Sequence, residues 1–244
     1  MKFLILFVFM FNLHLFSSEL NINSVLKNMK WTGFSAEMQL NLKRGNKESL
    51  IKKMTVKALD TEDGQKILAM FTFPSNMKGM AFLAYCNKNL KDKRYIYLRA
   101  LRRVKKVPAN GDNFMLRDFL SSYLLKPRTE LWNYKLIKED SNIAVVEALA
   151  ASDKTIEITG YNKLVLHIDK KRNIIEKTIF YEKDGKKRRI QKVLETKIIN
   201  GVNFITKMET NDLDEGVKAE ITLTNVKIKK ILKKIFTTRY LKTL

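Results

Sequence analysis

A two-residue rhythm runs through most of this chain and restricts its fold more than any other feature. Phe34, Ala36, Met38, Leu40 and Leu42 alternate with Ser35, Glu37, Gln39, Asn41 and Lys43. Successive side chains of a strand point to opposite faces, so this run has one apolar and one polar face. Met54, Val56 and Ala58 repeat the pattern after a turn at residues 44–46, and Ile67 to Phe73 returns after the hairpin signal at residues 62–64. Pro74 ends that strand because it cannot donate to a ladder. Further strand runs are Met80–Tyr85, Tyr95–Leu98, Thr129–Ile137, Ile143–Leu149, Lys163–Asp169, Ile174–Tyr181, Ile190–Ile199, Phe204–Glu209 and Val217–Ile228. Asp184–Gly185, Asn200–Gly201 and Asp212–Gly216 are the clearest turns between them. The segment ALRRVKK at 100–106 reads as a basic connection. Two segments have helical spacing instead: Ile22, Val25, Leu26 and Met29, then Phe114, Met115, Phe119 and Leu120 behind the N-cap candidate Asp112. Ten to twelve antiparallel strands with two or three short helices predict a mainly β fold, a strongly curved sheet or barrel.

The first residues predict export. Lys2 precedes an apolar run from Phe3 to Phe16, followed by Ser17 and Ser18. That is the charge, apolar core and small-residue order of a signal peptide, and the run is shorter than the ~20 residues of a membrane-spanning helix. Residues 1–18 are therefore expected to be removed, leaving 19–244 as one domain in an extracytoplasmic compartment. Cys86 is the only cysteine, so no internal disulfide forms and the core must supply the stability. The chain carries 47 Lys and Arg against 25 Asp and Glu, a net charge of +22. Such a charge suits an anionic membrane surface or acidic partner, while export argues against nucleic acid.

Candidate chemistry is sparse. His14 falls within the leader, which leaves His167 inside the strand LVLHID. There is no Cys/His cluster of zinc spacing, no glycine-rich phosphate loop and no serine nucleophile motif, so neither catalysis nor a cofactor is expected. Tyr95 and Tyr97 beside Arg99 and Arg102 have the look of a nucleic-acid platform, but strand aromatics with solvated arginines are the plainer explanation, and export favours it. Phe34, Met38, Met54, Phe71, Phe82, Met115 and Phe119 either fill a core or line an apolar cavity.

Several runs carry a resemblance to a known family. FPSNMKGMAFL, YIYLRALRRVKKV and NFMLRDF, then IINGVNFITKME, KAEITLTNVKI and FTTRYL, occur in the order found in bacterial outer-membrane lipoprotein-sorting proteins, the LolA-like group. The chain resembles that group over nearly all of residues 19–244. Pro74, Gly79, Phe82, Leu98, Arg102, Arg103, Phe114, Met115, Asp118 and Phe119 match its pattern. Arg99 stands where the group has proline, Leu116 and Arg117 replace a Gly–Ser pair, and Leu120–Tyr123 lacks an acidic ending. The resemblance implies an incomplete β-barrel with a helical lid over an apolar cavity. It also implies a periplasmic, monomeric, non-enzymatic carrier of lipoprotein acyl chains or phospholipid, served by an inner-membrane release complex or regulator. In that scheme Phe34, Met38, Met54, Phe71 and Phe82 line the sheet, Met115 and Phe119 line the lid, and Arg102, Arg103 and Asp118 hold the lid or meet headgroups. An alternative reading is a non-enzymatic envelope sensor or adaptor that uses the same fold to bind lipid or peptide.

Overall fold

The computed structural model describes Val25 and residues 31–87, 92–107 and 128–244. Thirteen strands lie among them: β1 (Gly33–Arg44), β2 (Leu50–Thr61), β3 (Gly64–Phe73), β4 (Ala81–Asn87), β5 (Lys93–Leu98), β6 (Arg103–Val107), β7 (Trp132–Glu139), β8 (Ile143–Ala150), β9 (Lys163–Asp169), β10 (Ile174–Tyr181), β11 (Lys187–Ile199), β12 (Val202–Asp212) and β13 (Val217–Ile228). They form one antiparallel sheet in the order β6-β5-β4-β3-β2-β1-β13-β12-β11-β10-β9-β8-β7. Every pair but one joins sequence neighbours. The exception is β1 with β13, which runs from Phe34 opposite Ile228 to Arg44 opposite Val217 and unites two meanders into one surface. The sheet stays open, with β6 and β7 as its edges among the described residues.

The tight turns follow their residue types. Asn200 and Gly201 both have positive φ, 50° and 75°, as a two-residue hairpin turn requires. Gly185 turns β10 into β11 at φ 83°. Alternation then sets the facing. Met38 lies opposite Met54 on one side and Leu223 on the other, Met54 opposite Phe71, and Ala69 opposite Phe82. The apolar positions of adjacent strands therefore share one face, here termed inner.

Two expectations need correction. The basic segment after Leu98 is not a plain connection: Arg99–Leu101 form a single 3-10 turn and Arg103–Val107 form β6. Its weak alternation has a physical source, because this short edge strand is mostly exposed and only Val104 packs partly against the outer-face cluster. Its cations also discourage pairing with another chain's edge. The second correction is α1 (Asp153–Thr159), which lacks a wide apolar stripe and was not anticipated. It ends at Gly160, φ 79°, whose N–H bonds the Ile156 carbonyl at 2.7 Å.

The core has three parts. On the inner face Trp31, Phe34, Met38, Met54, Val56, Phe71, Phe82, Phe204, Met208 and Ile221 form one buried cluster. A second inner-face cluster joins Val25, which is helical, to Ala144, Val146, Ala148, Leu166 and Ile168 on β8 and β9. On the outer face Leu68, Ala81, Leu83 and Tyr97 pack beneath Ile231, Phe236 and Leu241. Leu241 belongs to α2 (Thr238–Leu241), capped by the Thr237 hydroxyl, which accepts from the Tyr240 N–H at 3.0 Å. The Tyr85 hydroxyl donates to the Phe236 carbonyl at 2.9 Å and fixes this C-terminal segment to the sheet.

Candidate functional site

The sheet collects five of the nominated apolar residues on a single face. Phe34, Met38, Met54, Phe71 and Phe82 come from β1 to β4, and each is only 1–2 % exposed. Phe34 makes edge-to-face contacts with Trp31 at 4.9 Å and with Phe204 at 5.0 Å, so rings from β1 and β12 meet over β13. Ala36, Ala58, Ala69 and Ala84 lie between the large side chains. Alternating Ala with Phe and Met makes an uneven apolar surface, and methionine adapts readily to what lies against it. Such a surface can bury alkyl groups, and the one ionisable side chain in its cluster, among the described residues, is the Cys86 thiol. Met115, Phe119 and Asp118 lie outside the described residues, as do the predicted leader and nearly all of the predicted first helix. Arg102 lies in a turn, and Arg103, opposite Leu98 and so in phase with Ile96 and Phe82, falls on the inner-face side at the sheet's edge. They are exposed at the β5–β6 turn and on edge strand β6.

The inner face also carries a polar belt that sequence reasoning missed. Arg189 on β11 is fully buried and lies opposite Phe180 of β10. Its guanidinium donates to the Tyr161 hydroxyl and stands 5.3 Å from the Tyr161 ring centroid and 5.1 Å from that of Phe180. Rings on two sides give a desolvated cation partial compensation through their quadrupoles. Tyr161 is brought there by the reversal at Gly160 that ends α1. Thr178, Gln191 and Thr210 continue the belt across β10, β11 and β12. The fully buried Thr210 hydroxyl has no hydrogen-bond partner among the described residues. Within the run KKRRIQK, Arg189 has the appearance of a solvated charge, so nothing local could have revealed its burial.

The titratable groups fit binding better than chemistry. Burial pushes the Cys86 thiol well above its ordinary value, with Asp92 adding to the effect, so the thiolate nucleophile is suppressed. The Asp92 carboxylate is itself buried and pairs with Arg128 at 3.0 Å and Arg94 at 3.4 Å, tying β5 to the start of the second meander. Burial lowers the His167 imidazole, and Lys177 lowers it further. Among the described residues no group of three or more His, Cys, Asp or Glu is placed to hold a metal ion. No described helix is long and apolar enough to cross a membrane.

Comparison with known proteins gives the fold a context. A family model described as "-like: Uncharacterized protein" matches residues 63–243. No curated protein matches the chain. A crystal structure assigned to an outer membrane lipoprotein-sorting protein domain, from Vibrio parahaemolyticus, is 24 % identical with a TM-score of 0.79, covering 91 % of this chain and 97 % of that one. A DUF1329 family protein from Desulfovibrio piger is 17 % identical with a TM-score of 0.79, over 90 % of this chain and 95 % of that one. A LolA superfamily protein from Nitrosomonas europaea is 15 % identical with a TM-score of 0.71, over 90 % and 98 %. At these identities the likeness is one of fold: an open, curved antiparallel sheet with the same course across nearly the whole chain.

Proposed function

This chain belongs to the uncharacterized family whose model spans residues 63–243 and has the LolA-like fold, and on that basis we propose that it is a non-enzymatic extracytoplasmic carrier of acyl chains. The observation that carries the reading is the continuous apolar inner face, on which Phe34, Met38, Met54, Phe71 and Phe82 fall into one cluster. The face is long enough. From Phe34 to Leu42 the inner-facing residues of β1 extend about 26 Å at ~3.3 Å per residue, against about 15 Å for one leaflet of a bilayer's hydrocarbon core.

Energetics explain why such a face is needed. Each buried CH₂ contributes ~0.8 kcal/mol, so a lipoprotein anchor with three chains of about sixteen carbons resists leaving a bilayer by roughly 35–40 kcal/mol. A carrier must replace that contact and later surrender it. The side chains of this face are buried, so loading exchanges internal packing for acyl packing. Such an exchange requires closed and open forms that differ by only a few kcal/mol. The lipoprotein or phospholipid cargo and an inner-membrane release complex or regulator are proposed from the sequence resemblance, and lipoprotein sorting is also in the name of a solved protein of the same fold. The roles of Met115, Phe119 and Asp118 follow from the sequence resemblance alone.

The test is photocrosslinking in the native envelope. Benzoylphenylalanine replaces Phe82 or Phe71 on the inner face, or Leu83 on the outer face, and adducts are identified by mass spectrometry. Acyl adducts from positions 82 and 71 but not from 83 are expected. Equal yields from both faces, or no lipid adducts, would sink the carrier reading. A single protein adduct in their place would favour a sensor.

A further inference from the structure

One end of the sheet carries a rim of cations and apolar side chains that acyl binding on the inner face does not use. Turns 45–49, 74–80 and 99–102 connect β1–β2, β3–β4 and β5–β6, so antiparallel pairing brings all three to the same end. Residues of the last two turns, with 242–244, enclose an open groove of about 910 Å³. Lys78, Arg99, Arg102 and Lys242 line it. Among the described residues none of these four has an acidic partner, whereas nearby Arg44 pairs with Glu215, and Lys186 and Arg188 pair with Asp214.

The backbone holds two of these cations in unusual ways. Among the described residues four non-glycine residues have positive φ; three are asparagines, and the fourth is Arg102 at 47°. Asparagine tolerates the left-handed region, while an arginine there is disfavoured by its Cβ. A cation thus stands where a cheaper residue would serve the turn equally well. Gly79, at φ 82°, makes room for the other: a Cβ there would lie 2.5 Å from Arg99 Cδ.

Apolar side chains surround the groove's end of the sheet. Leu50 is 62 % exposed, Leu101 58 %, Phe73 47 % and Ile51 42 %. Lys53 lies opposite Phe73, so Leu50 projects three residues further along β2, about 10 Å beyond it. Leu50 is in phase with Met54, so apolar surface continues along β2 from the inner face out to this rim, while a register shift beyond Met54 sets Phe73 opposite Lys53. Unpaired cations interleaved with exposed leucines match an anionic bilayer surface, where phosphates meet the charges and apolar tips enter the interface.

We infer that this rim docks on an anionic membrane, with headgroup phosphodiesters in the groove of Lys78, Arg99, Arg102 and Lys242, and with Leu50, Phe73 and Leu101 entering the interface. Docking there would set the end of the apolar inner face against the bilayer; that consequence rests on the carrier reading, while the docking itself does not.

Co-sedimentation with vesicles of phosphatidylcholine containing one quarter phosphatidylglycerol tests it. Because a net charge of +22 attracts any anionic surface, the control removes equal charge elsewhere. Arg99→Gln/Arg102→Gln is compared with Lys135→Gln/Lys138→Gln on exposed β7, after thermal melts confirm that both variants fold. The rim pair should weaken partitioning about 25-fold, roughly fivefold per cation, and the β7 pair far less. Tryptophan emission of L101W should shift to the blue on these vesicles. Equal loss from both pairs would mean diffuse attraction and overturn the proposal. So would release by millimolar glycerol phosphate without an L101W shift, which would mark a site for soluble phosphates, or indifference to vesicles, which would leave the rim to an acidic protein. Photocrosslinking from position 82 is independent of this assay, so a protein that docks without carrying lipid is distinguishable from one that carries without docking.

Discussion

Replacing Phe34 by alanine should be among the most destabilising single changes in this protein. The ring is 1 % exposed and touches Trp31 and Phe204 in edge-to-face geometry, at 4.9 and 5.0 Å between centroids. Buried Phe→Ala changes cost about 3–5 kcal/mol, combining lost transfer energy with the void left behind. In a chain of this size that lowers the midpoint of thermal unfolding by roughly 6–20 °C, at ~2–4 °C per kcal/mol. The assay is urea denaturation of the wild type, Phe34→Ala, Phe204→Ala and the double variant. The aromatic pair alone should appear in the cycle as a coupling of about 0.5–1.5 kcal/mol. Phe73→Ala is the internal comparison, because its ring is half exposed at the rim and should cost much less. A loss below about 1.5 kcal/mol for Phe34→Ala with no coupling to Phe204 would refute the packed cluster and place Phe34 against open space.

Two further predictions concern titratable groups. Cys86 should not react with a thiol reagent in the native protein and should react fully in denaturant, since it is buried and its thiol is held protonated; rapid native labelling would show that β4 opens. For His167, burial and Lys177 hold the imidazole below 6.5, so the unfolded chain takes up the proton first. Its contribution to stability is complete above about pH 6.5 and is lost as pH falls from there toward the lower folded value. His167→Gln should flatten that part of the stability profile measured by denaturation between pH 7 and 5, and an unchanged slope would refute the assignment.

Much of the fold was legible because alternation is a local code. Lys163–Asp169, Ile174–Tyr181 and Val217–Ile228 were bounded in the sequence as they stand in the structure. Asn200–Gly201 and Asp184–Gly185 marked hairpins through their tolerance of positive φ. Where a strand is short and mostly exposed the code falls silent, as at β6, whose cations Arg103, Lys105 and Lys106 occupy both faces. α1 was missed for a related reason: DKTIEIT offers no wide apolar stripe, and only Gly160 behind it signalled a helix end.

The inner-face assignment shows the same division. Period-two patterning was enough to put Phe34 and Met38 on one side of β1, but the uniformly apolar run Met80–Tyr85 does not say which of Phe82 and Leu83 faces inward. Patterning could not say that β1 would pair with β13, about 180 residues away, or that Phe34 would thereby meet Phe204. Nor could it tell that Arg189 is buried between two rings while Arg102 stands in the open, since both occur in runs of cations. Which side of each strand shuns water is written in neighbouring residues, because the pleat is a local geometry. What lies against that side depends on contacts between distant segments, and those exist only once the two meanders have joined.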